Sequence, residues 1–187
     1  MGDYFFFIVK KDNRNLNLLD GRADWENFPI FNRGDMVEVQ WKIDSSWVAG
    51  DNERLDMTEW AVSVKRTKEG KLSIFRKTNE KPLKYIYNED GYTEDAKKMF
   101  INEVEYFFAT NTTNKDILQY FDDENIKISI AGGEYDSKGN PDIIATIESD
   151  NKQPFTLGIA LHYEGKEYYN RTYYQLDEKT DKFIKIQ

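Results

Sequence analysis

An α+β fold dominated by β-structure is what the sequence predicts, and three observations carry the prediction. Apolar and polar residues alternate with period two through most of the chain, the mark of half-buried antiparallel strands. Between residues 93 and 110 the spacing changes to three and four, the mark of a helix with one apolar face. Turn-forming residues recur at short intervals on both sides of that helix, so the expected order is β-meander, helical insert, β-meander. The expected architecture is an antiparallel sheet, or a partly closed barrel or sandwich, covered by one amphipathic helix plus a short second helix within about residues 93–122.

Residues 4–9 are a nearly continuous aromatic and branched run, too short for a helix and suited to a strand buried on both faces or at a sheet centre. Residues 10–15 turn the chain and residues 16–19 form a short return strand. Trp25, Phe28, Ile30 and Phe31 make an apolar loop over one end of the sheet, which Pro29 keeps irregular. Residues 36–43 alternate cleanly, with Val37, Val39, Trp41 and Ile43 on one face and Glu38, Gln40 and Lys42 on the other. A polar loop at 50–54 precedes Trp60, Val62 and Val64, which alternate with Ala61, Ser63 and Lys65. A turn at Glu69-Gly70 then predicts a β-hairpin whose second strand is 72–75, and a further strand follows at 83–87.

The helix is read from Ala96, Met99, Phe100, Val104, Phe107 and Phe108, with Thr93 as its cap, Glu94 and Asp95 at its positive end and Glu94 facing Lys98 one turn on. Phe100, Val104 and Phe107 are expected to bury against the sheet. A shorter helix is expected after Asn114, with Ile117, Leu118 and Phe121 inward. Alternation then returns in Ile126, Ile128 and Ile130, in Ile143, Ala145 and Ile147, in Phe155, Leu157, Ile159, Leu161 and Tyr163, in 168–176 and in 183–186. No proline- or serine-rich linker separates these parts, so the reading is a single α+β domain over 1–187. The alternative is two small β domains, 1–91 and 125–187, joined by the helical segment.

Composition narrows the function classes. At 187 residues the chain can bury about 70% of its unfolded surface without staples. Aromatics reach 15% and charged residues 32%, a folded mixture with a wet surface rather than a disordered one. The net charge of −8 speaks against nucleic-acid binding through phosphate contacts, which needs a basic face. Residues 65–84 run the other way, with eight basic and two acidic side chains, and read as a hairpin with a solvated basic face or a docking surface for an acidic partner. The absence of cysteine removes disulfides, thiolate metal sites and cysteine nucleophiles. No apolar run spans a bilayer, and residues 4–9 are too short for an export signal.

Sites for chemistry are sparse. His162 is the sole histidine, on a strand face shared with Thr156, Gly158 and Ala160, where the small neighbours leave room for the helix to approach. One imidazole excludes catalytic triads with a second histidine and two-histidine zinc sites. No glycine pattern forms a phosphate loop, and no cofactor is indicated. Trp25-Glu26, Glu59-Trp60 and Asp56 place acids beside indoles, as carbohydrate-active enzymes do to raise a carboxyl pKa and stack a sugar. Asp136, Asn140 and Asp142 are the weak metal candidates, oxygen ligands in a turn without the EF-hand register. Arg33-Gly34-Asp35 reads as an adhesion tripeptide or as plain turn chemistry before a strand.

Tyrosine carries the most weight. Tyr163, Tyr168, Tyr169, Tyr173 and Tyr174 cluster on one hairpin, and alternation separates Tyr169, Arg171 and Tyr173 from Tyr168 and Tyr174. A buried unpaired guanidinium is costly, so the Arg171 side is expected to face outward, making Tyr169, Arg171 and Tyr173 the candidate site for a protein or glycan partner. The function expected is a non-enzymatic β-rich binding or interaction module. The alternatives are a small carboxylate-dependent carbohydrate-active enzyme and an acidic inhibitor that mimics nucleic acid. In composition alone the chain resembles the mature part of small bacterial cell-envelope lipoproteins, which would imply export with any signal or lipid anchor outside this sequence.

Overall fold

The computed structural model describes residues 6–12, 14–20, 31–48, 54–78, 83–111, 120, 126–133, 141–150, 152–164 and 168–186. Within them the chain is mostly strand, with two helices and two mixed sheets, and neither sheet closes into a barrel. The α+β, mostly β class read from alternation is what the structure shows. Two compact units divide the chain, Met1–Ser73 and Ile74–Gln187.

The first unit holds β1 (Phe6–Lys11), β2 (Arg14–Asp20), β3 (Met36–Val48) and β4 (Arg54–Lys68), in sheet order β1-β2-β4-β3. β1 and β2 form a hairpin about Asp12, a non-glycine residue held at φ 48°, a conformation aspartate tolerates better than most. β2 meets β4 in parallel, pairing Leu19 with Trp60, and so departs from the all-antiparallel expectation. β3 and β4 make a long antiparallel ribbon from Met36↔Lys68 to Val48↔Arg54. Leu18, Leu19 and Ala61 are the buried residues where β2 crosses to β4.

The hairpin expected across residues 65–84 is instead β4 followed by the helix α1 (Lys71–Thr78). Four residues of alternation cannot tell a strand from a helical turn, and here the deciding group comes from outside the window. Asp35 accepts from the Gly70 N–H at 2.7 Å and from Ser73 Oγ at 2.6 Å, placing a carboxylate at the positive end of α1. Arg76 and Lys77 suit its negative end. The loop residues 25 and 28–30 and the short helix expected after Asn114 lie outside the described residues, apart from Phe31, which is half-buried, and Tyr120, which is buried and donates to the Gln153 carbonyl at 2.5 Å.

The second unit is a sheet of order β10-β9-β8-β7-β6-β5, built from β5 (Lys84–Tyr87), β6 (Lys127–Gly132), β7 (Ile143–Ser149), β8 (Lys152–Glu164), β9 (Tyr168–Asp177) and β10 (Lys182–Lys185). β6 to β10 form the antiparallel meander that the sequence predicts. β5 pairs with β6 in parallel, which demands a crossover, and α2 (Glu94–Thr110) lies in that connection. Thr93 caps α2 by accepting from the Ala96 N–H, and Asn111 closes it by donating through its backbone and side-chain nitrogens to the Phe107 carbonyl. Glu94 pairs with Lys97, and Lys98 with Asp95, each three residues apart, in place of the expected Glu94–Lys98 pair. Phe100, Val104, Phe107 and Phe108 bury against Ile128, Ile130, Ile143, Ala145, Ile147, Leu157 and Ile159, a continuous core on one face of the sheet. The helix therefore takes the aliphatic face, and the face with His162 is the opposite one.

Candidate functional site

Each nominated side chain can be followed to its surroundings. Ile159 pairs with Tyr173 and Leu161 with Arg171, so Tyr173 and Arg171 share the aliphatic, helix-covered face. The expectation that this face looks outward is corrected: Tyr173 is 5% exposed and its ring lies 4.9 Å from that of Phe107. The Arg171 guanidinium turns inward because it is paired. α2 brings Glu103 over the sheet, and Arg171 donates to it through Nε and Nη2, both at 2.6 Å, a bidentate pair that satisfies the buried charge. The partner lies 68 residues away in sequence, beyond what strand alternation encodes. The Tyr169 side chain lies outside the described residues.

A second polar network supports the same helix. Glu105 accepts from Arg76 Nε at 2.6 Å and from the Tyr85 hydroxyl at 2.9 Å, while Arg76 also donates to Asn102. Burial first, and then the Glu105 charge, hold the Tyr85 phenol far above its usual range, so it stays a hydrogen-bond donor. The two carboxylates of α2 that lie nearest the core are thus both committed to arginines.

His162 is exposed, with Nε2 3.0 Å from Thr172 Oγ1 across the ladder. The space beside it is filled by other means than the helix. A Cβ added at Gly158 would meet Pro141 at 2.5 Å and the Phe183 ring at 2.9 Å, so those two side chains lie over the glycine. Of the metal candidates, Asp136 and Asn140 fall outside the described residues, and Asp142 accepts from the Leu161 N–H at 2.6 Å. Among the described residues no group of three or more His, Asp or Glu side chains is arranged to hold a metal ion.

Arg33-Gly34-Asp35 is turn chemistry. Gly34 sits at φ 90°, and a Cβ on Gly70 would strike its backbone at 2.4 Å, so the two glycines allow a close chain crossing. The Asp35 side chain is 1% exposed. Besides Gly70 and Ser73, it takes the Asn32 N–H at 2.9 Å and an ion pair from Arg66 Nε at 2.8 Å. Burial opposes its charge, but the Ser73, Gly70 and Asn32 hydrogen bonds and Arg66 outweigh it, and the carboxyl is held below its ordinary value. Asp35 ties β3, β4 and α1 together and displays nothing.

What the first unit does display is apolar. On β3, Trp41 and Ile43 are 47% and 61% exposed, and Met57 on β4, diagonal to Ile43, is 66% exposed. The same ribbon face is half-buried nearer its start, at Val37, Val39 and Val64; past Gln40 its large side chains are exposed, although Ala61, opposite Trp41, is buried. The change falls at an irregularity in the ladder. Gln40 pairs with Ser63 and Trp41 with Ala61, so β4 carries Val62 as an inserted residue, itself exposed. Sequence alternation assigns Trp41 and Ile43 to one face; what it leaves out is that only part of this face is covered, at Ala61 but not at Trp41, Ile43 or Met57. Ile43 opposing Glu59 and Met57 opposing Ser45 were the available signal, since a core-facing ladder pairs apolar with apolar.

Among the described residues no helix is long and apolar enough to cross a membrane. Comparison of the chain with family models, with curated proteins and with solved structures found no match to any of the three.

Proposed function

We propose that the chain is a non-enzymatic β-rich binding module, and that the open face of the β3–β4 ribbon is its contact surface for a protein partner. The supporting observation is the adjacency of Trp41, Ile43 and Met57, three large apolar side chains exposed together on one stretch of sheet. Single exposed apolar residues are ordinary, whereas neighbouring ones form the kind of patch that marks a contact surface. Tryptophan and methionine are enriched at protein interfaces, and aliphatic Ile43 suits a protein surface better than a sugar. A place at a bacterial cell envelope, which composition suggests, would put the partner among envelope or surface proteins.

The test is selection of a displayed random-peptide library on the immobilised full chain, followed by titration of the enriched peptides. The expected binders are apolar, and their affinity should fall about tenfold or more for the Trp41→Ser/Met57→Ser chain, since truncation of central aromatic contacts costs that much. Its unfolding midpoint should stay near that of the unmodified chain. Peptides indifferent to the double substitution, or a selection that enriches nothing, would count against the reading.

A further inference from the structure

We infer that β3 pairs with β3 of a second copy of this chain, antiparallel and centred on Gln40, joining the two open ribbon faces into one. The inference rests on the reading of the ribbon as a contact surface and names one occupant of its edge. Three observations carry it. β3 ends the sheet order β1-β2-β4-β3, and its only strand neighbour among the described residues is β4. It is 13 residues long and contains no proline, whereas β1, the other end strand, has six residues and finishes in Lys10 and Lys11. Long edge strands without proline are templates for another strand, and the charges β3 carries at Glu38 and Lys42 are of opposite sign.

The second observation is regularity. Both irregularities of the ribbon fall on β4, which carries Thr67 and Val62 as the inserted residues, so β3 keeps unbroken alternation along its free edge. The third is self-complementarity. A two-fold axis through Gln40, normal to the sheet, places each residue opposite one of the same parity, which keeps both faces and the hydrogen-bond directions matched. Glu38 then faces Lys42 of the second copy, and Lys42 faces Glu38 of the second copy, giving two opposite-charge pairs. Val39 faces Trp41 of the second copy and Val37 faces Ile43, so the apolar side continues without interruption. Glu38 and Lys42 are exposed in the single chain, where Lys42 pairs with Asp44 on its own strand at 2.5 Å. An axis through Ile43 would also oppose unlike charges, Lys42 to Asp44, but it sets Trp41 against Ser45 and breaks the apolar match.

Charge reversal separates these arrangements. Sedimentation velocity of the full chain over a concentration series should show a monomer–dimer equilibrium. Glu38→Lys should weaken it about tenfold or more, because two favourable pairs become two repulsive ones. Lys42→Glu should do the same, and the Glu38→Lys/Lys42→Glu chain should recover dimerisation. A wild-type chain monomeric throughout would overturn the pairing. So would a double variant as weak as Lys42→Glu alone, which points to the Ile43-centred register. A dimer that survives both charge reversals but is lost in Trp41→Ser/Met57→Ser would be face-to-face association, overturning edge pairing while supporting the contact-surface reading. Peptide binding without any dimer would reject the pairing and leave that reading standing.

Discussion

β8 and β3 are written in the same alternating pattern and end in opposite environments. β8 sets Phe155, Leu157 and Ile159 on one face, and α2 lays Phe100, Val104 and Phe107 in the core that covers them. β3 sets Val37, Val39, Trp41 and Ile43 on one face, and past Gln40 its large side chains stay exposed. Alternation makes a strand two-faced without saying which face gains a cover. The cover is decided by connectivity. Parallel pairing of β5 with β6 forces a crossover, and its helix carries apolar side chains to the sheet. β2 and β4 also pair in parallel, but the described part of their connection contains the strand β3 and no helix. Each apolar side chain left about half exposed on the β3–β4 ribbon forgoes about 1 kcal/mol of burial, a stabilisation available to a partner.

The sharpest way to break the contrast is to remove the cover. Phe107→Ala should cost about 3 to 5 kcal/mol in a denaturant titration, as large-to-small changes in a closed core do. A loss below about 1 kcal/mol would make α2 peripheral and the contrast false. Next in size is the buried pair beneath that helix. Glu103→Ala removes the bidentate acceptor of Arg171 and should cost about 3 kcal/mol, whereas Glu103→Met/Arg171→Met should come close to the unmodified chain. Equal damage from the single and double changes would mean that the pair's geometry, rather than its charge balance, is what the fold requires.

Asp35→Asn should cost about 2 kcal/mol at neutral pH, because charge-assisted hydrogen bonds to Gly70, Ser73 and Asn32 are weakened. The sign of its pH dependence follows from the direction of the shift. A carboxyl whose folded-state pKa lies below the ordinary value of 3.8 contributes stability fully above that value and loses it as the pH falls through the folded-state pKa. The gap between wild type and Asp35→Asn should therefore narrow below about pH 4. A gap that is constant with pH would show that the carboxyl is not tuned by its partners. The smallest effect is expected on the open face: Trp41→Ser or Met57→Ser should change stability by less than about 1 kcal/mol.

Legibility followed the range of the interaction. The faces of β3 and the buried stripe of α2 are local periodicities, and both could be read from the chain. α1 could not, because Asp35, the carboxylate at its N-terminus, precedes Gly70 by 35 residues and the remaining cue was four alternating side chains. The orientation of β9 failed for the same reason. The rule that arginine avoids burial was sound, but Glu103, the group that suspends it, sits on another element. The parallel pairings β2–β4 and β5–β6 leave no mark in alternation, which records a strand's faces and not its neighbours. The candidate site suffered most: the tyrosine hairpin drew attention by composition, while the exposed strip holds only three conspicuous residues from two strands.

Met57 is a built-in reporter of whether that strip is a contact surface. Its sulfur should oxidise readily in the dilute chain, and the rate of sulfoxide formation can be followed by mass spectrometry with Met99, on α2 and 41% exposed, as internal reference. A peptide selected on the chain should slow oxidation of Met57 severalfold and leave Met99 unchanged. Met57 oxidising at the same rate with and without bound peptide would place the binding elsewhere and remove the ribbon face as the contact surface.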